Sequence, residues 1–123
     1  MDIGITFETS TFDVSRETPN PINPIYGESL LLWLKQKARE RIDLPDPDHE
    51  DWGWYFDIEW DGRFYMLGAS SDDGETWFFH VTKFRRLKEK LLGREKMDAS
   101  DPCWCYFLAL IESEPMFSKI EPL

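Results

Sequence analysis

The sequence predicts a single α+β domain, residues 1–123, in which an antiparallel β-meander packs against about three helices. Three observations support this fold class. Two runs of alternating apolar and polar residues flank Asp61-Gly62, a dipeptide typical of two-residue hairpin turns. Segments with helical periodicity stand on either side of these runs, and an alternating segment at the start of the chain adds an N-terminal strand. A C-terminal strand is a further candidate.

The first elements are a strand and an amphipathic helix, separated by a proline-rich loop. Asp2–Glu8 has the period of two that is typical of a half-buried strand. Three prolines lie in the segment from Thr18 to Pro24, which fits an ordered loop or a mobile arm because proline lacks an N–H group. From Tyr26 to about Arg41, apolar residues recur at steps of three and four, which predicts a helix.

The central hairpin predicts both a register and two different faces. A two-residue turn at Asp61-Gly62 places Trp60 opposite Arg63 and Trp54 opposite Ala69. One face of the hairpin then carries the apolar residues of a core. On the other face, carboxylates alternate with apolar groups.

The second half of the chain predicts a third meander strand and two helices. Thr76–Thr82 is rich in aromatic residues and suits a strand, and Lys83–Leu92 combines an apolar stripe with a strongly basic outer face. Asp101 is a predicted N-cap for a helix over Pro102–Ser113, although the same apolar run would also fit a buried strand. Met116–Glu121 fits a short edge strand.

The charge balance bears on the kind of partner. The chain has 24 Asp and Glu against 14 Lys and Arg, a formal charge of −10. Because nucleic acids and anionic membranes attract Lys and Arg, this balance argues against direct binding to either. Residues 40–75 carry 12 acidic and 2 basic side chains, whereas residues 76–97 carry 2 acidic and 7 basic ones. This separation of charge favours attraction of the acidic segment to a basic protein, and self-association into a homodimer is an alternative.

The sequence carries no targeting signal that we identify. The residues after Met1 lack the basic and apolar regions of a secretory signal, and no apolar run reaches the ~20 residues of a membrane span, so we expect a cytoplasmic protein. Cys103 and Cys105 are too close together for an ordinary structural disulfide. We expect both to be buried and unreactive.

Candidate reaction chemistry is weak. Asp57 and Glu59 have the spacing of a catalytic carboxylate pair, but alternating acids are common on solvent-facing strands. Cys103 and Cys105, with two histidines elsewhere, lack the usual spacing of a zinc site. No phosphate-binding, dinucleotide-binding or zinc-hydrolase motif occurs. We therefore predict no catalytic residue, no metal ligand and no cofactor, and an enzyme is the less favoured interpretation.

The hairpin region combines aromatic residues with a rim of acids, the composition of a protein-binding surface. The function expected from this is a small acidic protein of the inhibitor or immunity type that engages a basic protein partner. The predicted partner-binding residues are Asp46, Asp48, Glu50, Asp51, Trp52, Tyr55, Asp57, Glu59, Phe64, Asp72 and Asp73.

A small-molecule binding domain or enzyme is the alternative interpretation. Its pocket would lie between the meander and the first helix. Its polar groups would be Tyr55, Asp57, Glu59 and His80.

Three short stretches carry a resemblance. Asp51-Trp52-Gly53-Trp54-Tyr55, Glu59-Trp60-Asp61-Gly62 and Leu67-Gly68-Ala69-Ser70, followed by the basic segment, resemble small uncharacterised bacterial proteins. The likeness covers about half of the chain. It implies a bacterial or phage-related origin and an α+β fold, and it carries no catalytic residues that could be transferred here.

Overall fold

In the part of the chain that the structure describes, the strands form a six-stranded antiparallel sheet, and two α-helices pack on one of its faces. The computed structural model describes residues 2–85, 89, 91–93 and 97–123, and within them the α+β class is confirmed. The strands are β1 (Asp2–Glu8), β2 (Asp48–Glu50), β3 (Gly53–Trp60), β4 (Arg63–Ser70), β5 (Thr76–Phe84) and β6 (Ser118–Pro122); the helices are α1 (Glu28–Lys37) and α2 (Pro102–Glu112), with a 3-10 turn at Val14–Arg16. The strand order is β2-β3-β4-β5-β1-β6.

The predicted hairpin register is confirmed. Trp60 pairs with Arg63, Ile58 with Tyr65, and the ladder continues to Trp54 opposite Ala69. At the turn, Asp61 has φ 48° and Gly62 has φ 79°, as a two-residue turn between twisted strands requires. The local chemistry of the turn is therefore sufficient to set which hairpin residues face the core.

Two α-helices form in the described part of the chain, fewer than the three or so predicted. The predicted helix Lys83–Leu92 is wrong at its start, because Lys83 and Phe84 continue β5 and pair with β4. Residues 86–88 and 90 of that predicted helix lie outside the described residues. Lys83 extends the strand because its ammonium reaches a buried carboxylate, a long-range contact that overrides local helix propensity.

Other boundaries differ by a few residues. α1 begins at Glu28 rather than Tyr26, because the backbone of Tyr26 exchanges two hydrogen bonds with Ser71. The run starting at Pro102 is helical, as predicted, and Asp101 is its N-cap. β2 was not predicted, since its three residues are all polar and gain their strand conformation from pairing with β3. Neither described helix is long and apolar enough to cross a membrane.

The core lies between the sheet and the two helices. Trp104 of α2 stacks on Phe79 with 6.1 Å between ring centroids, and Phe107 packs on Trp60 at 5.6 Å. From α1, Leu30, Leu31 and Leu34 are fully buried against the same face. Trp54, Trp60, Trp77 and Trp104 are all buried, whereas Trp33 and Trp52 are half-buried.

A buried polar cluster joins β4, β5 and the start of α2. The Asp101 side chain, 1% exposed, accepts a hydrogen bond from the Tyr65 hydroxyl at 2.9 Å and lies 3.2 Å from the ammonium of Lys83, which is 8% exposed. The other carboxylate oxygen of Asp101 accepts hydrogen bonds from the backbone N–H groups of Cys103 and Trp104, at 3.0 and 3.2 Å. One carboxylate thus both neutralises a buried cation and caps a helix.

Candidate functional site

The face of the sheet that points away from α1 and α2 carries the candidate site, and we call it the open face. Alternation along the strands places ten residues of β2, β3 and β4 on it: Asp48, Glu50, Gly53, Tyr55, Asp57, Glu59, Phe64, Met66, Gly68 and Ser70. These three strands are described in full and contribute no Lys or Arg to this face. The part of the open face next to the sheet edge is therefore acidic and aromatic.

An aromatic cluster lies at one end of the open face. The ring of Trp52, in the turn before β3, lies 5.0 Å from the ring of His80 and 6.3 Å from that of Tyr55. The rings rest on Gly68, where a β-carbon would lie 2.3 Å from the His80 ring and 2.7 Å from Trp52. Position 68 therefore requires glycine if the cluster is to lie directly on the sheet.

The turn that carries Trp52 is held by the proline-rich segment. The side-chain amide of Asn20 donates to the carbonyl oxygens of Glu50 and Gly53, at 2.9 and 3.2 Å. The amide of Asn23 donates to the carbonyl of Asp51 at 2.7 Å. This segment, which fitted an ordered loop or a mobile arm, is thus an ordered loop that fixes the position of the Trp52 turn.

The electrostatic environment of the cluster is negative. Asp48 lies directly opposite Tyr55 in the β2–β3 ladder, and Asp57 follows two residues along on the same face. Burial, and then the charges of Asp48, Asp57 and Glu50, raise the pKa of the Tyr55 hydroxyl above its ordinary value. Within the described residues, Glu50, Asp57 and Glu59 form no ion pair, and Asp48 lies 3.3 Å from His49. Three carboxylates on this face are therefore not neutralised by the described chain.

Seven of the predicted partner-binding residues lie on or above the open face: Asp48, Glu50, Trp52, Tyr55 and Asp57 at or near the cluster, and Glu59 and Phe64 opposite each other next to the hairpin turn. Asp46 lies apart, because its carboxylate is 2.7 Å from the ammonium of Lys35, and this hydrogen bond and charge lower the pKa of Asp46.

The other acids of that prediction lie in turns. The carboxylate of Asp73 accepts from the backbone N–H groups of Thr76 and Glu75, both at 2.8 Å, and these hydrogen bonds lower its pKa. Asp51 and Asp72 are exposed in the turns that precede β3 and β5. They lie at the same end of the sheet as Trp52.

Phe84 falls within the predicted helix Lys83–Leu92 but belongs to β5 and lies on the open face. Phe84 lies directly opposite Phe64, and the two side chains are 51% and 59% exposed. An open, mainly apolar depression of about 530 Å³ lies beside them and is lined by Asp57, Ile58, Glu59, Phe64, Tyr65 and Phe84. Alternation through Phe78, His80 and Thr82 was the signal that would have placed Phe84 on the strand.

The alternative pocket between the meander and the first helix does not match this arrangement. Leu30, Leu31 and Leu34 of α1 are fully buried in the core, as are Ala69 and Trp54 of the sheet, so this space is packed with side chains. The polar groups expected there, Tyr55, Asp57, Glu59 and His80, lie on the opposite face of the sheet.

The cysteines differ from one another. Cys103 is buried, and burial raises the pKa of its thiol far above the usual range. Cys105 is exposed, so the expectation that both are buried was wrong for this residue. Positions two apart on a helix point about 200° away from each other, which explains the difference. Among the described residues, no group of three or more His, Cys, Asp and Glu side chains is arranged to hold a metal ion.

Comparisons of this chain with protein-family models, with curated proteins and with solved structures found no match. The resemblance of the hairpin to small uncharacterised bacterial proteins remains a prediction.

Proposed function

We propose that this chain is a small acidic protein of the inhibitor or immunity type, which binds a basic protein partner through its open face. The observation that carries the proposal is the combination, on one face, of unneutralised carboxylates with the exposed ring of Phe64. Exposed aromatic rings supply contact area to an interface, and charges around them steer an oppositely charged partner. A cationic groove that normally holds phosphate groups would be complementary in charge to the open face.

The size of the electrostatic contribution sets what the experiment should measure. Exposed charges are screened within about 8 Å at physiological salt, so each contributes little to affinity by itself. Several charges of one sign together raise the association rate, and this effect falls as salt rises. Binding through the open face should therefore be strongly dependent on ionic strength.

The test is affinity capture from a lysate of the source cells with three tagged proteins. The first is wild type, and the second has Glu50→Gln, Asp57→Asn and Glu59→Gln on the open face. The third is a control with the same change in charge at exposed positions elsewhere, namely Glu40→Gln, Asp43→Asn and Glu112→Gln. We expect wild type and control to capture the same basic protein at low salt, and the open-face variant to capture at least about tenfold less.

Purified partner then gives the decisive numbers. The association rate should fall with salt for wild type and control, and it should be low at all salt concentrations for the open-face variant. Equal binding by all three proteins would place the interface elsewhere. The proposal would be refuted if wild type captured no basic protein at low salt.

A further inference from the structure

The chain already binds one of its own arginines with an aromatic ring and a carboxylate. The guanidinium carbon of Arg41 lies 3.9 Å from the centre of the Trp60 ring, and its Nη2 atom lies 3.2 Å from Oδ1 of Asp61. The planar cation is stacked on the ring and hydrogen-bonded at its edge, the geometry that arginine favours.

The Trp52–Tyr55 pair offers the same two kinds of group on the open face. Its rings are 6.3 Å apart and inclined by 43°. Asp48 is the cross-strand neighbour of Tyr55, and Asp57 is two residues along the same strand, about 7 Å away by strand geometry. A guanidinium stacked on either ring would have a carboxylate within reach of its N–H groups.

The surroundings of Tyr55 support a cation at this position. Asp48 lies opposite Tyr55 in the β2–β3 ladder, and Asp57 and Glu50 also act on the tyrosine hydroxyl, so carboxylates from two strands lie near this aromatic pair. Asp57 and Glu50 have no ion pair within the described residues, whereas the carboxylate of Asp61 is paired with Arg41.

We propose that the Trp52–Tyr55 pair binds an arginine side chain of the basic partner, stacked on an aromatic ring and hydrogen-bonded to Asp48 or Asp57. This inference rests on the proposed function and specifies what that surface recognises. Arginine is favoured over lysine because its planar guanidinium stacks on rings and presents several N–H groups to carboxylates. Lysine would meet the same charges without that geometry.

The experiment compares two peptides of equal charge, hexaarginine and hexalysine, in titrations of isotope-labelled protein followed by NMR. The indole N–H signal of Trp52 reports the site directly. We expect hexaarginine to bind about fivefold more tightly than hexalysine, and to shift this signal in a saturable manner. Asp57→Asn should weaken hexaarginine more than the matched control Asp43→Asn, which removes the same charge away from the site.

Trp52→Ala should abolish the difference between the two peptides while the rest of the spectrum remains that of the folded protein. Asp57→Asn is the second variant, and it tests the site without any loss of packing because Asp57 is exposed. Equal affinities for both peptides would overturn the inference and leave the proposed function standing. Binding of neither peptide at low salt would overturn both. A preference for hexaarginine that persists in Trp52→Ala would also refute the assignment to this site.

Discussion

Replacing Asp101 by asparagine should destabilise the fold by about 3 kcal/mol, because it breaks a buried ion pair without changing the shape of the side chain. The carboxylate is 1% exposed and lies 3.2 Å from the ammonium of Lys83. Asparagine is as good an N-cap as aspartate, so the backbone N–H groups of Cys103 and Trp104 keep an acceptor. The substitution therefore keeps the helix cap and removes the charge together with the oxygen that faces Tyr65 and Lys83.

The magnitude follows from the burial of the two partners. Removing one member of a buried pair costs about 3–5 kcal/mol, since the remaining charge is left in a poorly solvated site. The lower end applies here because the Lys83 side chain is 8% exposed and keeps some access to water. Asp101→Ala should cost about 1 kcal/mol more, because it also removes the helix cap.

The assay is urea denaturation followed by tryptophan fluorescence. With a slope of about 2 kcal/mol per molar urea, the midpoint for Asp101→Asn should fall by about 1.5 M. The control is Asp43→Asn, an exposed aspartate that forms no ion pair within the described residues, and it should change stability by less than about 1 kcal/mol. The double variant Lys83→Met with Asp101→Asn should regain at least about 1 kcal/mol relative to Asp101→Asn. A midpoint within about 0.5 M of wild type for Asp101→Asn would refute this reasoning.

Three further outcomes are expected. Gly68→Ala should displace the two rings that rest on the glycine, seen as a changed indole N–H signal of Trp52. The raised pKa of Tyr55 means that the folded state favours the neutral hydroxyl. The stability that this proton-binding preference contributes is therefore complete below pH 10 and is lost as the pH rises through the folded-state pKa. An ultraviolet titration of wild type against Tyr55→Phe should show this late ionisation. A thiol reagent should modify Cys105 in the native protein and Cys103 only after unfolding.

The hairpin was predictable because its determinants are local. Asp61-Gly62 has the two positive φ angles that set a two-residue turn, and the turn fixes the pairing of every residue in both strands. The acidic and apolar alternation on the open face follows directly from this register. The acids on β3 and Phe64 could therefore be assigned to one face from the sequence alone.

The parts that were missed depend on contacts distant in sequence. β2 is polar throughout and has no strand signal of its own. Its pairing with β3 brings Asp48 and Glu50 to the open face, and the sequence pattern did not predict this. Likewise, Lys83 is tolerated in a buried strand position because Asp101 lies beside it in the fold. Local propensity describes neither contact.

The sequence pattern likewise did not predict which individual acids form ion pairs. The charge of Asp46 is engaged by Lys35 and that of Asp61 by Arg41, and nothing in the pattern of acids distinguishes these two from Asp57. Composition therefore predicted an acidic region correctly but could not divide it into paired and unpaired carboxylates. That division decides which acids are available to a partner.

The distribution of paired acids bears on the proposed function. Several carboxylates outside the open-face surface formed by β2, β3 and β4 lie beside a cation, among them Asp46 beside Lys35, Asp61 beside Arg41, Glu8 beside Lys119 and Asp101 beside Lys83. On that surface, Glu50, Asp57 and Glu59 have no such match within the described residues. Like charges close together on one face destabilise a sheet, and the described chain offers no intramolecular compensation for them. A basic partner would supply that compensation on binding, so neutralising these three acids should raise the stability of the free protein slightly while it weakens the complex.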